Sequence, residues 1–263
     1  MLRLAELDPV VNVFADYRSR LTQLDPRWLG GEVWGYEVDG ELVSACHAAA
    51  NLVPVQATPA ALAAFADRAV GQPRRCSTIV GPAEAVRPLW QLLEPHWAPA
   101  RELRWRQPHM QISASPSVTP DPLVRRTRPD DLPALYPACV AMYTEEVGVS
   151  PELGGSAELY RARVAQLVAK GWSFARIEDG QVVFKAEVAA ASPHACQIQG
   201  VYVHPARRGE GLAAAGMAAV VSVALRDIAP VVSLYVNEHN EPARRAYERA
   251  GFAQTSTFST IMF

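Results

Sequence analysis

A chain of 263 residues that is 49% hydrophobic and 20% charged, with a formal net charge of −2 at pH 7, has the balance of a soluble globular protein. Its length suits one large domain or two of ordinary size. No basic stripe favours a nucleic-acid partner, no apolar run is long enough for a membrane span, and the start MLRLAELDPV lacks the basic-then-apolar plan of a secretion signal.

Along the chain, VNVFADYRSRLTQL (11–24) carries a helical pattern. EVDGELVSACHAAA (37–50) follows, with Asp39-Gly40 between alternating apolar runs, the signal of a hairpin whose turn needs positive φ at both central residues. Thr58-Pro59 caps and starts an Ala-rich helix, CSTIV (76–80) reads as a strand, and GPAEAVRPLWQLLEPHW (81–97) as a helix with Trp90 and Trp97 in the core. The Pro- and Ser-rich SASPSVTPDP (113–122) is the linker. It divides the chain into residues 1–115, a linker at 116–122, and residues 123–263.

The second half reads as strand 123–127, helices 131–142 and 156–169, and strands 173–177, 182–190 and 196–203. Helix 211–227, strand 231–236, helix 241–250 and strand 253–262 complete it. Mixed strands with crossover helices imply an α/β (α+β layered) fold on a mixed sheet. IEDGQVVFKAEVAA (177–190) aligns with 37–50 around Asp179-Gly180, and the order of elements is the same in both halves, which points to a duplication. Arg-rich RELRWR (101–106) and VRRTR (124–128) read as solvated strand faces.

Cys46, Cys76, Cys139 and Cys196 lie far apart, without Cys-x-x-Cys pairs or histidines at ligand spacing. They read as reduced, buried thiols of a cytoplasmic protein, with no metal site. Lys170 and Lys185 are the only lysines among many arginines, a bias expected of a GC-rich bacterial genome.

The chemistry concentrates at HPARRGEGLAAAG (204–216). The strand QIQGVYVHP ends at His204-Pro205 and a helix starts near Gly211. A helix start exposes unpaired N–H groups and the positive end of the dipole, so it holds anions. Gly209 and Gly211 let amides approach closely, and Arg207 or Arg208 adds charge. The loop is neither a Walker A sequence, which needs a lysine, nor a GxGxxG dinucleotide fingerprint. Downstream, VSLYVNEHNEPARRAYERAGF (232–252) places Asn240 as an N-cap, Pro242 in the first turn and Gly251 at the helix end.

Arg208-Gly209-Glu210-Gly211-Leu212-Ala213 fits [Q/R]xxGx[G/A]. Together with Asn240-x-x-Ala243 and Arg244-Arg245-Ala246-Tyr247-x-x-x-Gly251-Phe252, it resembles the GNAT family of N-acetyltransferases over about residues 123–263. The resemblance implies acetyl-CoA as co-substrate, with no metal. The backbone of Val201, Tyr202 and Val203 would pair with the pantetheine arm, as an added strand pairs with a sheet edge. Arg208 and the amides of Gly209, Glu210, Gly211, Leu212 and Ala213 would hold the pyrophosphate, with Asn240 contacting the cofactor. Tyr247 would be the general acid that protonates the departing thiolate, a step suited to a phenol that stays protonated at neutral pH.

Glu187 is the candidate general base, if its side chain faces the site and not solvent on the alternate strand face. Glu145 and Glu146 are candidates for attracting a cationic acceptor. The first half has no glycine or arginine in the loop before its Ala-rich helix and no tyrosine between Tyr36 and Tyr136. It therefore resembles a degenerate GNAT-like domain, giving two such domains in tandem, the first forming one wall of the acceptor site. The acceptor stays open: a small-molecule amine, a protein lysine, or an amino-sugar precursor as in tandem mycothiol synthases. A non-catalytic acyl-CoA sensor is the alternative of another class. Oligomeric state is equally open.

Overall fold

The computed structural model describes residues 1–263. In the first half, helices α1 (Leu2–Ala5), α2 (Val13–Thr22) and α3 (Pro26–Leu29) precede strands β1 (Glu32–Val38), β2 (Glu41–Ala48) and β3 (Asn51–Val55). Then come α4 (Pro59–Val70), β4 (Thr78–Pro82), α5 (Ala83–Leu93) and β5 (Glu102–Ile112). The second half begins with β6 (Arg125–Arg126), α6 (Leu132–Val147) and α7 (Ala157–Ala169), followed by β7 (Ser173–Glu178), β8 (Gln181–Ala191) and β9 (Cys196–Val203). It ends with α8 (Leu212–Asp227), β10 (Val232–Tyr235), α9 (Glu241–Ala250) and β11 (Ala253–Met262).

Local chemistry accounts for most of these boundaries. Asp39 and Gly40 (φ 52° and 80°) and Asp179 and Gly180 (φ 48° and 76°) make both hairpin turns with positive φ. Thr58 accepts from the Ala61 amide to cap α4, and Asn240 accepts from the Ala243 amide to cap α9, each with a proline in the first turn. Two readings shift. The strand expected over 123–127 shrinks to β6, because a turn at Asp121 takes up the amides of Leu123 and Val124. Helix α6 runs past residue 142 to Val147, since nothing breaks it before Gly148 at φ 78°.

The strands form one mixed sheet in the order β1-β2-β3-β4-β11-β5-β10-β9-β8-β7-β6. The halves exchange their last strands. β11 from the second half pairs with β4 and β5 of the first, and β5 pairs with β10 of the second. Matching β1–β5 to β7–β11 in turn leaves the order symmetric about the β11–β5 pair, with β6 as the extra edge strand. The hydrophobic cores are exchanged as well. Met110 and Ile112 of β5 lie in the core beneath α8 and α9, whereas Ile261 of β11 lies in the core beneath α4 and α5.

The linker is anchored rather than loose. The amides of Ser117 and Asp121 donate to the carbonyls of Ala250 and Ala215, and the buried Asp121 carboxylate holds Arg176 at 2.8 Å. All four cysteines are buried and unpaired. No helix is long and apolar enough to cross a membrane.

Candidate active site

β9 and β10 run parallel but pair only at Cys196↔Val232 and Gln197↔Ser233, and then they diverge. One edge of β9 from Ile198 to Val203 is therefore left without a neighbouring strand. At its far end the chain turns through His204–Arg208 into α8. Gly209 and Gly211 take φ of 86° and 81°, which only glycine adopts at little cost. No amide from Gly209 to Ala214 donates to another group of the protein, and no side chain caps this helix. Unpaired N–H groups and the helix dipole converge there, the arrangement that binds phosphate oxygens.

A cavity of about 1670 Å³ opens between the diverging strands. It takes in Val201, Tyr202, Val203, Arg208, Gly209, Gly211, Leu212, Ala213, Asn240, Glu187 and Tyr247. Glu210 does not line it; its carboxylate holds Arg207, which lines the cavity and also reaches Glu178 at 2.6 Å. The Arg208 guanidinium lies 2.7 Å from Glu145 and donates to the Val203 carbonyl at 3.2 Å. The Asn240 carbonyl oxygen is taken by its capping bond.

Tyr247 on α9 is 7% exposed, packs beside Phe252, and makes no hydrogen bond within the protein through its hydroxyl. Burial, with the charge of Glu146 adding to it, pushes this hydroxyl well above its ordinary value, so it is fully protonated at neutral pH. Glu187 faces the cavity, not solvent. One carboxylate oxygen accepts from Lys185 at 3.1 Å and the other from Gln199 at 2.9 Å. Lys185 has no exposed surface; burial opposes its charge, but Glu187 and Cys139 together outweigh this and hold the ammonium above its ordinary pKa.

Glu145 and Glu146, the candidates for attracting a cationic acceptor, both line the cavity and already carry partners there. Glu145 holds Arg208, and Glu146 holds Arg104 of β5 and accepts from Asn237. Sequence reasoning missed Arg104, Gln107 and Asn237, which lie far apart in the chain and meet only at the seam between the halves. Gln107 donates to Asn237 at 2.8 Å and accepts from Thr260 at 2.6 Å. The first half thus supplies part of the cavity wall, through Asn51, Thr78, Val80, Arg104 and Gln107.

The equivalent place in the first half is closed. β3 and β4 likewise pair only at Asn51↔Thr78 and Leu52↔Ile79. Beyond them Pro54 lies so near Gly81 that a Cβ on the glycine would meet its ring and carbonyl at 3.8 and 3.9 Å. At the start of α4, Thr58 takes the Ala61 amide, and Pro59 has no N–H to offer. No group of three or more His, Cys, Asp or Glu is placed to hold a metal ion.

Residues 156–252 match the model of the Acetyltransferase (GNAT) family, and residues 31–135 match a domain of unknown function (DUF4081). Among solved structures, an acetyltransferase from the GNAT family of Colwellia psychrerythraea is similar at 13% identity and TM-score 0.58, covering 100% of this chain and 97% of the other. A Drosophila protein reaches 0.67 at 15% identity, covering 100% and 94%. A tandem GNAT protein from the clavulanic acid biosynthesis pathway reaches 0.52 at 14% identity, covering 98% and 96%. These likenesses carry the fold, two GNAT-like units in tandem. No curated protein matches the sequence.

Proposed function

We propose, from the premise that the second half of this chain is a GNAT domain with a divergent first domain before it, that the protein is an acetyl-CoA-dependent N-acetyltransferase acting on a primary amine. One observation carries the reading. The unpaired amides from Gly209 to Ala214 lie in one cavity with the open edge of β9 and with Tyr247.

The residues fit the co-substrate group by group. The loop amides and Arg208 match a pyrophosphate, with Arg208 exchanging Glu145 for a phosphate oxygen. The free edge of Val201–Val203 matches the amide-bearing pantetheine arm, bound as an extra strand. Acetyl-CoA supplies an acetyl group activated as a thioester. The amine nitrogen attacks its carbonyl carbon, the carbon–sulfur bond breaks, and the nitrogen gives up a proton as the amide forms. Tyr247 stands ready to donate its proton to the departing sulfur, and its raised pKa keeps that proton in place. Glu187 is the carboxylate nearest in kind to a proton acceptor. Lys185 and Gln199 hold its two oxygens in place at the cavity, where it takes the proton from the amine through water.

Calorimetric titration with acetyl-CoA tests the reading. The wild type should bind, and Arg208→Glu should weaken binding about tenfold or more, as expected for losing a charge-assisted hydrogen bond. Tyr247→Phe should keep the affinity while kcat falls roughly a hundredfold, the usual contribution of a positioned acid. Absence of binding by the wild type would overturn the reading.

A further inference from the structure

The seam end of the cavity, away from the α8 helix start, has chemistry of its own. Gln197 on β9 lines it, is 6% exposed, and makes no side-chain hydrogen bond within the protein. A buried amide group is strongly selected to find a partner, so this one is available to a ligand. On the wall of the same cavity, Thr260, Gln107 and Asn237 are 7%, 2% and 8% exposed and joined head to tail, ending on Glu146. That chain fixes each rotamer. It leaves unspent the second N–H of Gln107 and the lone pairs of the Thr260 oxygen. Asn51, whose carbonyl oxygen is taken by Thr78 at 2.7 Å, keeps its NH₂ free on the same wall.

Charge is already balanced at this end. Glu146 holds Arg104 and Glu187 holds Lys185, while the exposed Arg163 lines the wall without an acidic partner. The carboxylates of Glu146 and Glu187 are both engaged by cations of the protein, which leaves the contacts here to neutral groups. The unspent groups are neutral, with donors and acceptors side by side. Hydroxyls, which both donate and accept, complement such a surface, and the flat face of Tyr143 offers contact to the C–H face of a ring.

We propose that the seam is the acceptor subsite and takes a primary monoamine on a polyhydroxylated body, of the amino-sugar or aminocyclitol class. Gln197 and the Gln107–Asn237–Thr260 chain bind its hydroxyls. Four of these side chains come from both halves and from both exchanged strands, so the subsite exists only in the assembled tandem. This inference rests on the acetyl-CoA reading above.

The test measures release of the CoA thiol with acetyl-CoA and, separately, glucosamine, spermidine, benzylamine and a lysine-containing peptide. Glucosamine should have the highest kcat/KM. Gln197→Leu should raise its KM about tenfold, the scale of one or two lost hydrogen bonds, with the calorimetric Kd for acetyl-CoA unchanged. Thr260→Val, which keeps the side-chain shape, should do the same to a smaller degree and serves if the first variant does not fold. Higher kcat/KM for spermidine, benzylamine or the peptide, or no turnover of glucosamine, would overturn the subsite while leaving acetyl-CoA binding standing. Failure of the wild type to bind acetyl-CoA would remove both readings.

Discussion

Glu145 and Arg208 face each other across the mouth of the loop that leads into α8, both about half exposed. An exposed pair of this kind is worth ~0.2–1 kcal/mol, and on the proposed acetyl-CoA reading the pyrophosphate displaces it. Glu145→Gln should therefore tighten acetyl-CoA binding by up to about fivefold in calorimetry, and a loss of affinity would show that Glu145 does more than occupy Arg208. His109 poses a different residue-scale question. It is fully buried on β5, stacked on Phe258, and neither ring nitrogen has a partner. Burial depresses its pKa from 6.5 to about 4. The unfolded chain takes up a proton as pH falls below 6.5, and the folded chain does so only near 4, so stability is complete above 6.5 and drains away between these values. The loss amounts to about 3 kcal/mol. Urea midpoints should fall less between pH 7.5 and pH 5 for His109→Phe than for the wild type; equal falls would place the acid sensitivity elsewhere. The motif residues of the site were legible because their signal is local: Arg208, Gly209, Gly211 and Tyr247 sit in short patterns. The Gln107–Asn237 contact was not, because neither residue's neighbours reveal a partner on another strand.

At the scale of elements, α8 is placed by a missing side chain. A Cβ at Gly216 would come within 2.7 Å of the Phe184 ring, so the helix lies on β8 more closely than any other residue would permit. Gly216→Ala should force α8 away from the sheet and cost ~1–3 kcal/mol by overpacking, read as a lower melting temperature. The double variant with Phe184→Leu should recover part of that loss. An unchanged melting temperature would mean that the contact gives way without cost. The hairpins, the caps of α4 and α9, and the span of nearly every helix in the second half follow from turn and cap residues, which act over a few positions. The divergence of β9 from β10 does not. The same alternating sequence serves a strand paired along its whole length, and only the sheet shows that pairing stops after Gln197 and Ser233.

For the whole molecule, the exchange of β5 and β11 ties two halves into one cooperative unit. Ile261 is completely buried in the core of the first half, and Phe263 packs against Trp90 and Trp97 while Arg74 lies over its ring. Ile261→Ala should cost ~2–5 kcal/mol and lower a single calorimetric transition. Two separate transitions, with only one of them shifted, would show that the halves melt independently. Residues 123–263 produced alone would lack the strand between β10 and β11, and should self-associate through those exposed edges in size-exclusion chromatography. The tandem arrangement was legible from the repeated order of elements, yet the exchange was not. Each strand pattern specifies a buried face but does not specify which neighbour supplies the other side.

The exchange also sets a timetable for the nascent chain. On the ribosome the first half emerges with β4 and β5 complete, but the strand that belongs between them follows only after β10 and α9. Until β11 is made, two unpaired edges and a core without Ile261 stay open, so a chain stalled before it lacks the closure of both halves. Synthesis of β11 is therefore the step that closes both halves at once.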